Sequence, residues 1–172
     1  MKKILTCAFA LVLGLLPAAG RTDDVASAVK QIDSECSAIQ SAIMALKPVH
    51  VALISSTWKV ESDADYAVAE RTHAAVAFAD VWTQGKNPAW VHAHSFTASG
   101  AQRATQLCFR QADGTLERVR QAATVDGLNG AAAEQAYYAS DGSLIQKTSL
   151  FAVDDPAIAK KVAELPFYSV LP

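Results

Sequence analysis

Between Asp23 and Lys47 the apolar residues fall at Val25, Val29, Ile32, Cys36, Ile39, Ile43 and Leu46, in steps that alternate four and three. That stepping is one stripe of an amphipathic helix, because 3.6 residues per turn bring every third or fourth side chain back to the same side. Lys30, Asp33, Ser34, Ser37 and Ser41 take the opposite side, which suits water. Asp23 or Asp24 can cap the start by accepting from unpaired backbone N–H groups. Pro48 ends the helix, since the residue before a proline avoids the α region.

After Pro48 the period changes. "VALISSTWKV" is rich in β-branched residues and reads as a strand. "RTHAAVAFADVW" fits either period: its alanines permit a helix, while Val76, Phe78 and Trp82 at even positions suit a strand. It is read as a strand because "TQGKNP" then turns the chain into "AWVHAHSF". Two clearer hairpins follow, "CFRQADGTLERV" from Cys108 and "AYYASDGSLIQK" from Ala136, each with an Asp-Gly turn and a leucine two residues beyond the glycine. Glycine supplies the positive φ that tight hairpins demand. The predicted strands are Arg103 to Gln111, Thr115 to Val125, Ala133 to Ser140 and Ser143 to Val153. Next, "DDPAIAKKVAEL" reads as a short helix, with Asp155 as cap and Pro156 in its first position. The apolar end "PFYSVLP" is expected to fold back onto the body. The expected fold class is α+β: a long N-terminal helix on an antiparallel meander of about five or six strands, closed by a short C-terminal helix.

The first 20 residues add a compartment. Lys2 and Lys3 precede an apolar run from Ile4 to Leu16, and small residues Ala18 and Gly20 follow. This is the order of a secretory signal peptide over residues 1–20, leaving 21–172 as a single mature α+β domain, periplasmic or secreted. The apolar run is too short for a permanent span, which needs about 20 residues. The chain has 15 basic and 17 acidic residues; residues 1–20 hold two of the lysines and no acid, so the mature chain carries 13 against 17. Mild acidity argues against nucleic acid as a partner. Cys7 leaves with the signal, and in an oxidising compartment the remaining Cys36 and Cys108 form a candidate disulfide. Parity opposes it. Cys108 alternates with Leu107 and Phe109, so a helix covering the Leu107/Phe109 side would leave Cys108 facing away from Cys36. A bulge, or a sheet covered on both faces, would remove the conflict.

Candidate chemistry is sparse. His92 and His94 lie two apart, so on a strand both imidazoles leave one face, a common way to place two metal ligands. A third ligand would come from His50, His73 or a carboxylate. Glu61, Asp63 and Asp65 alternate as calcium ligands do, but the glycine and distal glutamate of a helix-loop-helix site are missing, and a solvated acidic turn explains them. Arg103, Arg110, Arg118 and Arg120 lie on adjacent predicted strands with Lys147 nearby, a basic patch that could receive an anion or acidic partner. Glu117 and Glu134 among them make ion pairing an equal explanation. Tyr137 and Tyr138 must point to opposite faces, one to the core and one, Tyr138, to the binding surface. No nucleophile elbow, phosphate-cradling glycine loop or Cys-x-x-Cys occurs.

The segment "NGAAAEQAYYASDGSLIQK" resembles the last hairpin of many small exported bacterial proteins, whose pattern is a tyrosine pair, a glycine turn and a leucine. The resemblance covers the C-terminal half, implies export and a β-hairpin fold, and supplies no catalytic residue or cofactor. In the earlier copy Cys108-Phe109 stands where the tyrosine pair would be. The expectation is therefore a non-enzymatic exported domain that binds a protein, glycan or envelope component, without cofactor. The alternative is a small metal-binding protein or metal-dependent enzyme using His92 and His94.

Overall fold

The computed structural model describes residues 19–72, 74–85, 87–96, 102–124, 131–149 and 158–172. The predicted signal segment therefore lies almost wholly outside the described residues, as do His73 and the predicted cap Asp155-Pro156. The described chain runs α1 (Ala19–Ile43), β1 (Val49–Ile54), β2 (Thr57–Glu61), α2 (Asp63–Thr72), β3 (Ala77–Gln84), β4 (Asn87–Phe96), β5 (Gln102–Phe109), β6 (Leu116–Thr124), β7 (Ala131–Tyr138) and β8 (Leu144–Ser149). The strands make one antiparallel sheet in the order β2-β1-β3-β4-β5-β6-β7-β8. The α+β architecture matches the expectation, but the sheet has eight strands among the described residues, against five or six expected.

Two local readings change, and only the first adds a strand. "VALISSTWKV" is two strands, joined by Ser55-Ser56 with Ile54 opposite Thr57. Both serines hold positive φ, 49° and 65°, the geometry a two-residue hairpin demands and usually obtains from Asn-Gly. The segment from Asp63 divides between periods. Its first part is helix α2, entered through Ser62, whose hydroxyl accepts from the Asp65 N–H and donates to the Asp65 carboxylate. Only from Ala77 is it strand. Asp63 and Asp65 therefore stand in the first turn of a helix, where carboxylates suit the exposed N–H groups.

Helix α1 keeps the predicted stripe but not its ends. It runs through Asp23 and Asp24, so neither caps it, and it stops at Ile43, leaving Leu46 beyond it and exposed. The Leu46 carbonyl accepts a 3.1 Å bond from the Trp82 indole, which pins the end of α1 to β3. No C-terminal α-helix forms among the described residues; single 3₁₀ turns occur at Val162–Glu164 and Tyr168–Val170. Residues 160–162 are drawn to the first Asp-Gly hairpin instead: Leu116 N–H donates to Lys160 O and Val162 N–H to Gly114 O. Backbone pairing with β6 takes the groups a helix would have used internally.

Both faces of the sheet are covered. On one, α1 lays Ile32, Cys36 and Ile43 against Trp90, Cys108 and Tyr137, and α2 lays Tyr66 and Ala69 against Ala52 and Phe78. On the other, the C-terminal segment sets Val162, Leu165 and Phe167 over Val81, Val91, Leu107, Phe109, Val119 and Tyr138. Parity therefore raises no obstacle to the disulfide. Leu107 and Phe109 face the C-terminal segment, Cys108 faces α1, and Cys36 and Cys108 are bonded with Cα atoms 6.0 Å apart. A bulge lies at the same place: Cys108 pairs with Arg118 and Phe109 with Leu116, leaving Glu117 as the extra residue.

The two Asp-Gly hairpins share one turn chemistry. Asp113 accepts from the Thr115 N–H and Asp141 from the Ser143 N–H, both at 2.9 Å, and Gly114 and Gly142 hold φ of 68° and 82°. Their surroundings differ. Leu116 is fully buried in the cluster formed with the C-terminal segment, whereas Leu144 is exposed. A Cβ at Gly114 would lie 3.3 Å from Val162 Cγ2.

Candidate functional site

The arginines read as one patch are separated by the sheet. Along β5 and β6, Cys108, Arg118 and Arg120 leave the face covered by the helices, whereas Arg103 and Gln121 leave the opposite one. Arg118 is no surface residue: it is 2% exposed and donates to Asp33 of α1 at 2.6 Å, with its guanidinium 5.7 Å from the Trp90 ring centre. Tyr137 donates to the other Asp33 oxygen at 2.9 Å, and Arg120 lies 3.7 Å from that carboxylate. Arg110 donates to the buried Glu117 at 2.8 Å. Burial first, opposed by Arg110, raises the Glu117 carboxyl above its usual range. These residues hold α1 and the β5–β6 bulge together. Tyr138 is likewise buried, with Lys160 Nζ 3.7 Å above its ring. A sheet covered on both sides has no surface tyrosine in that pair.

His92 and His94 do leave one face of β4, with ring centres 6.3 Å apart, but His94 enters an internal network. His94 stacks on Phe78 at 5.1 Å and meets Phe96 edge-on at 6.1 Å. Its Nε2 lies 3.2 Å from Glu70 of α2, out of line for a hydrogen bond. Burial lowers its pKa below the ordinary 6.5, against the pull of Glu70. His50, one of the third ligands considered, donates from Nδ1 to Asp80 at 2.7 Å and stacks on Tyr66 at 4.3 Å. Burial, then the Asp80 charge, pushes the Tyr66 hydroxyl well above the usual phenol range. Among the described residues the only convergence of three or more potential ligand atoms is Cys36, Cys108 and Glu117, and its two sulfurs are joined to each other.

A different place combines an opening with unsatisfied chemistry. Between the sheet and the C-terminal segment lies a cavity of about 290 Å³, with Trp58, Ala93, Leu107, Ile158 and Phe167 among its walls. The Trp58 and Phe167 rings meet edge-on at 5.0 Å, linking β2 to the C-terminal segment across one side. Polar residues line the cavity from three neighbouring strands: His94 and Ser95 of β4, Arg103 and Thr105 of β5 and Gln121 of β6. Thr105 stands directly opposite Gln121 in the register, and Arg103 lies on the diagonal of the same face.

Gln121 is the decisive member. It is 3% exposed, and neither its Nε2 nor its Oε1 has a partner among the described residues. Leaving buried donors and acceptors unpaired costs about 1–3 kcal/mol each, so such a group in a native interior calls for an explanation. Arg103 is half-buried and carries no ion pair within the described residues. Glu134, opposite Gln121 on β7, is buried but pairs with Lys147 at 2.9 Å. An apolar chamber with a few convergent polar groups is the usual form of a small-molecule site.

Sequence reading picked out Arg103 for its charge and missed Gln121 and the cavity. Gln121 and the apolar wall residues look ordinary along the chain, and the C-terminal segment that roofs them is distant in sequence. Searches against protein-family models, curated proteins and solved structures found no match to this chain.

Proposed function

We propose that this protein is an exported, non-enzymatic binding domain that holds a small molecule between its sheet and its C-terminal segment. The observation that carries the reading is Gln121, a buried side-chain amide whose Nε2 and Oε1 have no partner among the described residues, on the wall of an apolar cavity. A ligand with polar atoms would complete those bonds while its apolar part displaces water from the walls. Export is supported by the predicted signal segment and is compatible with the Cys36–Cys108 disulfide, which suits an oxidising compartment. No helix among the described residues is long and apolar enough to cross a membrane.

The test is an NMR titration with 1-octanol and with octanoate. Either ligand is expected to give saturable shifts at the Trp58 indole, the Gln121 side-chain amide and Phe167. Those shifts should vanish in Ala93→Phe, which fills the chamber, while the remaining spectrum stays dispersed. Absence of saturable shifts with both ligands in the wild-type protein would overturn the proposal.

A further inference from the structure

We infer that the ligand is a small carboxylic acid, its carboxylate held by Arg103, Gln121 and Thr105 and its apolar part lying against Trp58, Leu107 and Phe167. This identification rests on the cavity reading above and adds the chemical class of the occupant.

Three donors meet on one stretch of sheet. The Arg103 guanidinium offers a planar fork of N–H groups and accepts nothing. The Gln121 Nε2 offers two more N–H groups, both without partners among the described residues. The Thr105 hydroxyl, directly opposite Gln121, can rotate to donate. A carboxylate is acceptor-only and matches the guanidinium fork in a bidentate pair. The Gln121 Oε1 remains available for a hydroxyl or amide N–H elsewhere on the ligand.

Charge around the cavity favours an anion. Arg103 has no carboxylate partner within the described residues, unlike Arg110 just beyond β5 and Arg118 of β6, which pair with Glu117 and Asp33. The nearest acid by register, Glu134, is engaged by Lys147, which removes its repulsion. In the low dielectric beside Phe167 and Leu107, a single compensated charge interacts more strongly than it would in water.

Size limits the rest of the molecule. A cavity of about 290 Å³ has room for about ten water-sized groups at roughly 30 Å³ each. An eight-carbon chain or a single ring with a short acidic arm fits, whereas a membrane phospholipid does not.

The experiment compares octanoate, 3-phenylpropanoate and the neutral 1-octanol, at neutral pH and low salt, by calorimetry and by the Gln121 amide shift. Octanoate should bind about tenfold or more tightly than 1-octanol, the difference expected for one charge-assisted contact. The preference should disappear in Arg103→Met, persist in part in Arg103→Lys, and shrink in Gln121→Leu. Melting temperatures and dispersed spectra establish that each variant is folded. Binding of 1-octanol equal to that of octanoate would overturn the carboxylate assignment and leave the cavity reading standing. A preference unchanged in folded Arg103→Met would do the same. If no ligand of either kind binds, the cavity reading fails with it. The ratio of octanoate to 3-phenylpropanoate affinity tells chain from ring.

Discussion

Arg118, Tyr137 and Asp33 meet beneath α1, where Arg118 Nη1 and the Tyr137 hydroxyl both donate to the Asp33 carboxylate, while Arg118 Nη2 has no partner among the described residues. Buried charge survives in a protein interior only when paired in this way, which explains how an arginine can be among the largest fully buried side chains. The Gln121 side chain has no hydrogen-bond partner at all among the described residues, and it lines the cavity. His94 is a third kind of buried polar residue, packed between aromatic rings with only partial compensation from Glu70. Its lowered pKa means that the unfolded chain takes up the proton first as pH falls. The stability that His94 contributes is therefore complete above about pH 6.5 and is lost below it, until the folded form is protonated too. Glu117, raised by burial, works in the opposite direction. His94→Phe should therefore lessen the fall in urea midpoint between pH 7.5 and pH 5. An unchanged fall would show that acid sensitivity originates elsewhere.

Among the elements, those fixed by local pattern were readable in advance. The α1 stripe and the Asp113-Gly114 and Asp141-Gly142 hairpins formed where the period and turn chemistry placed them. The β1–β2 hairpin was hidden because Ser55-Ser56 carries no glycine or asparagine to mark a turn. Its left-handed backbone is imposed by the pairing of Val51 with Val60 and of Leu53 with Trp58 on either side. Left-handed conformation costs an ordinary residue about 1–2 kcal/mol. Replacing Ser55-Ser56 by Asn-Gly should stabilise the protein by about 1 kcal/mol, read as a higher urea midpoint with an unchanged slope. A lower midpoint would mean that the serines make contacts the turn geometry does not reveal. From the sequence, helix α2 is unassigned except for its last two residues, for a different reason. Residues 71–82 hold the end of a helix and the start of a strand, and averaging over the junction lets the strand pattern at Phe78 and Trp82 dominate.

At the scale of the whole molecule, the disulfide joins the first helix to the centre of the sheet across 72 residues of sequence. On the chain-entropy account a bridge closing so long a loop contributes about 4 kcal/mol, through the unfolded state. The double variant Cys36→Ala/Cys108→Ala should lose stability of that order in urea unfolding while retaining its sheet, because Ile32, Ile43 and Asp33 still hold α1. A loss below about 1 kcal/mol would mean that the unfolded chain stays compact without the bridge.

The sequence by itself determined the helical stripe of α1, the turn chemistry of the Asp-Gly hairpins and the antiparallel character of the sheet. All three follow from interactions between residues close along the chain. The tertiary structure alone decided which face each strand residue meets. With both faces covered, Cys108 reaches Cys36, Tyr137 and Tyr138 are both buried, and the four arginines part company. It also decided the candidate site. Trp58, Gln121 and Phe167 have nothing in common along the chain, and they share a cavity only because the C-terminal segment docks on the first Asp-Gly hairpin and roofs the sheet.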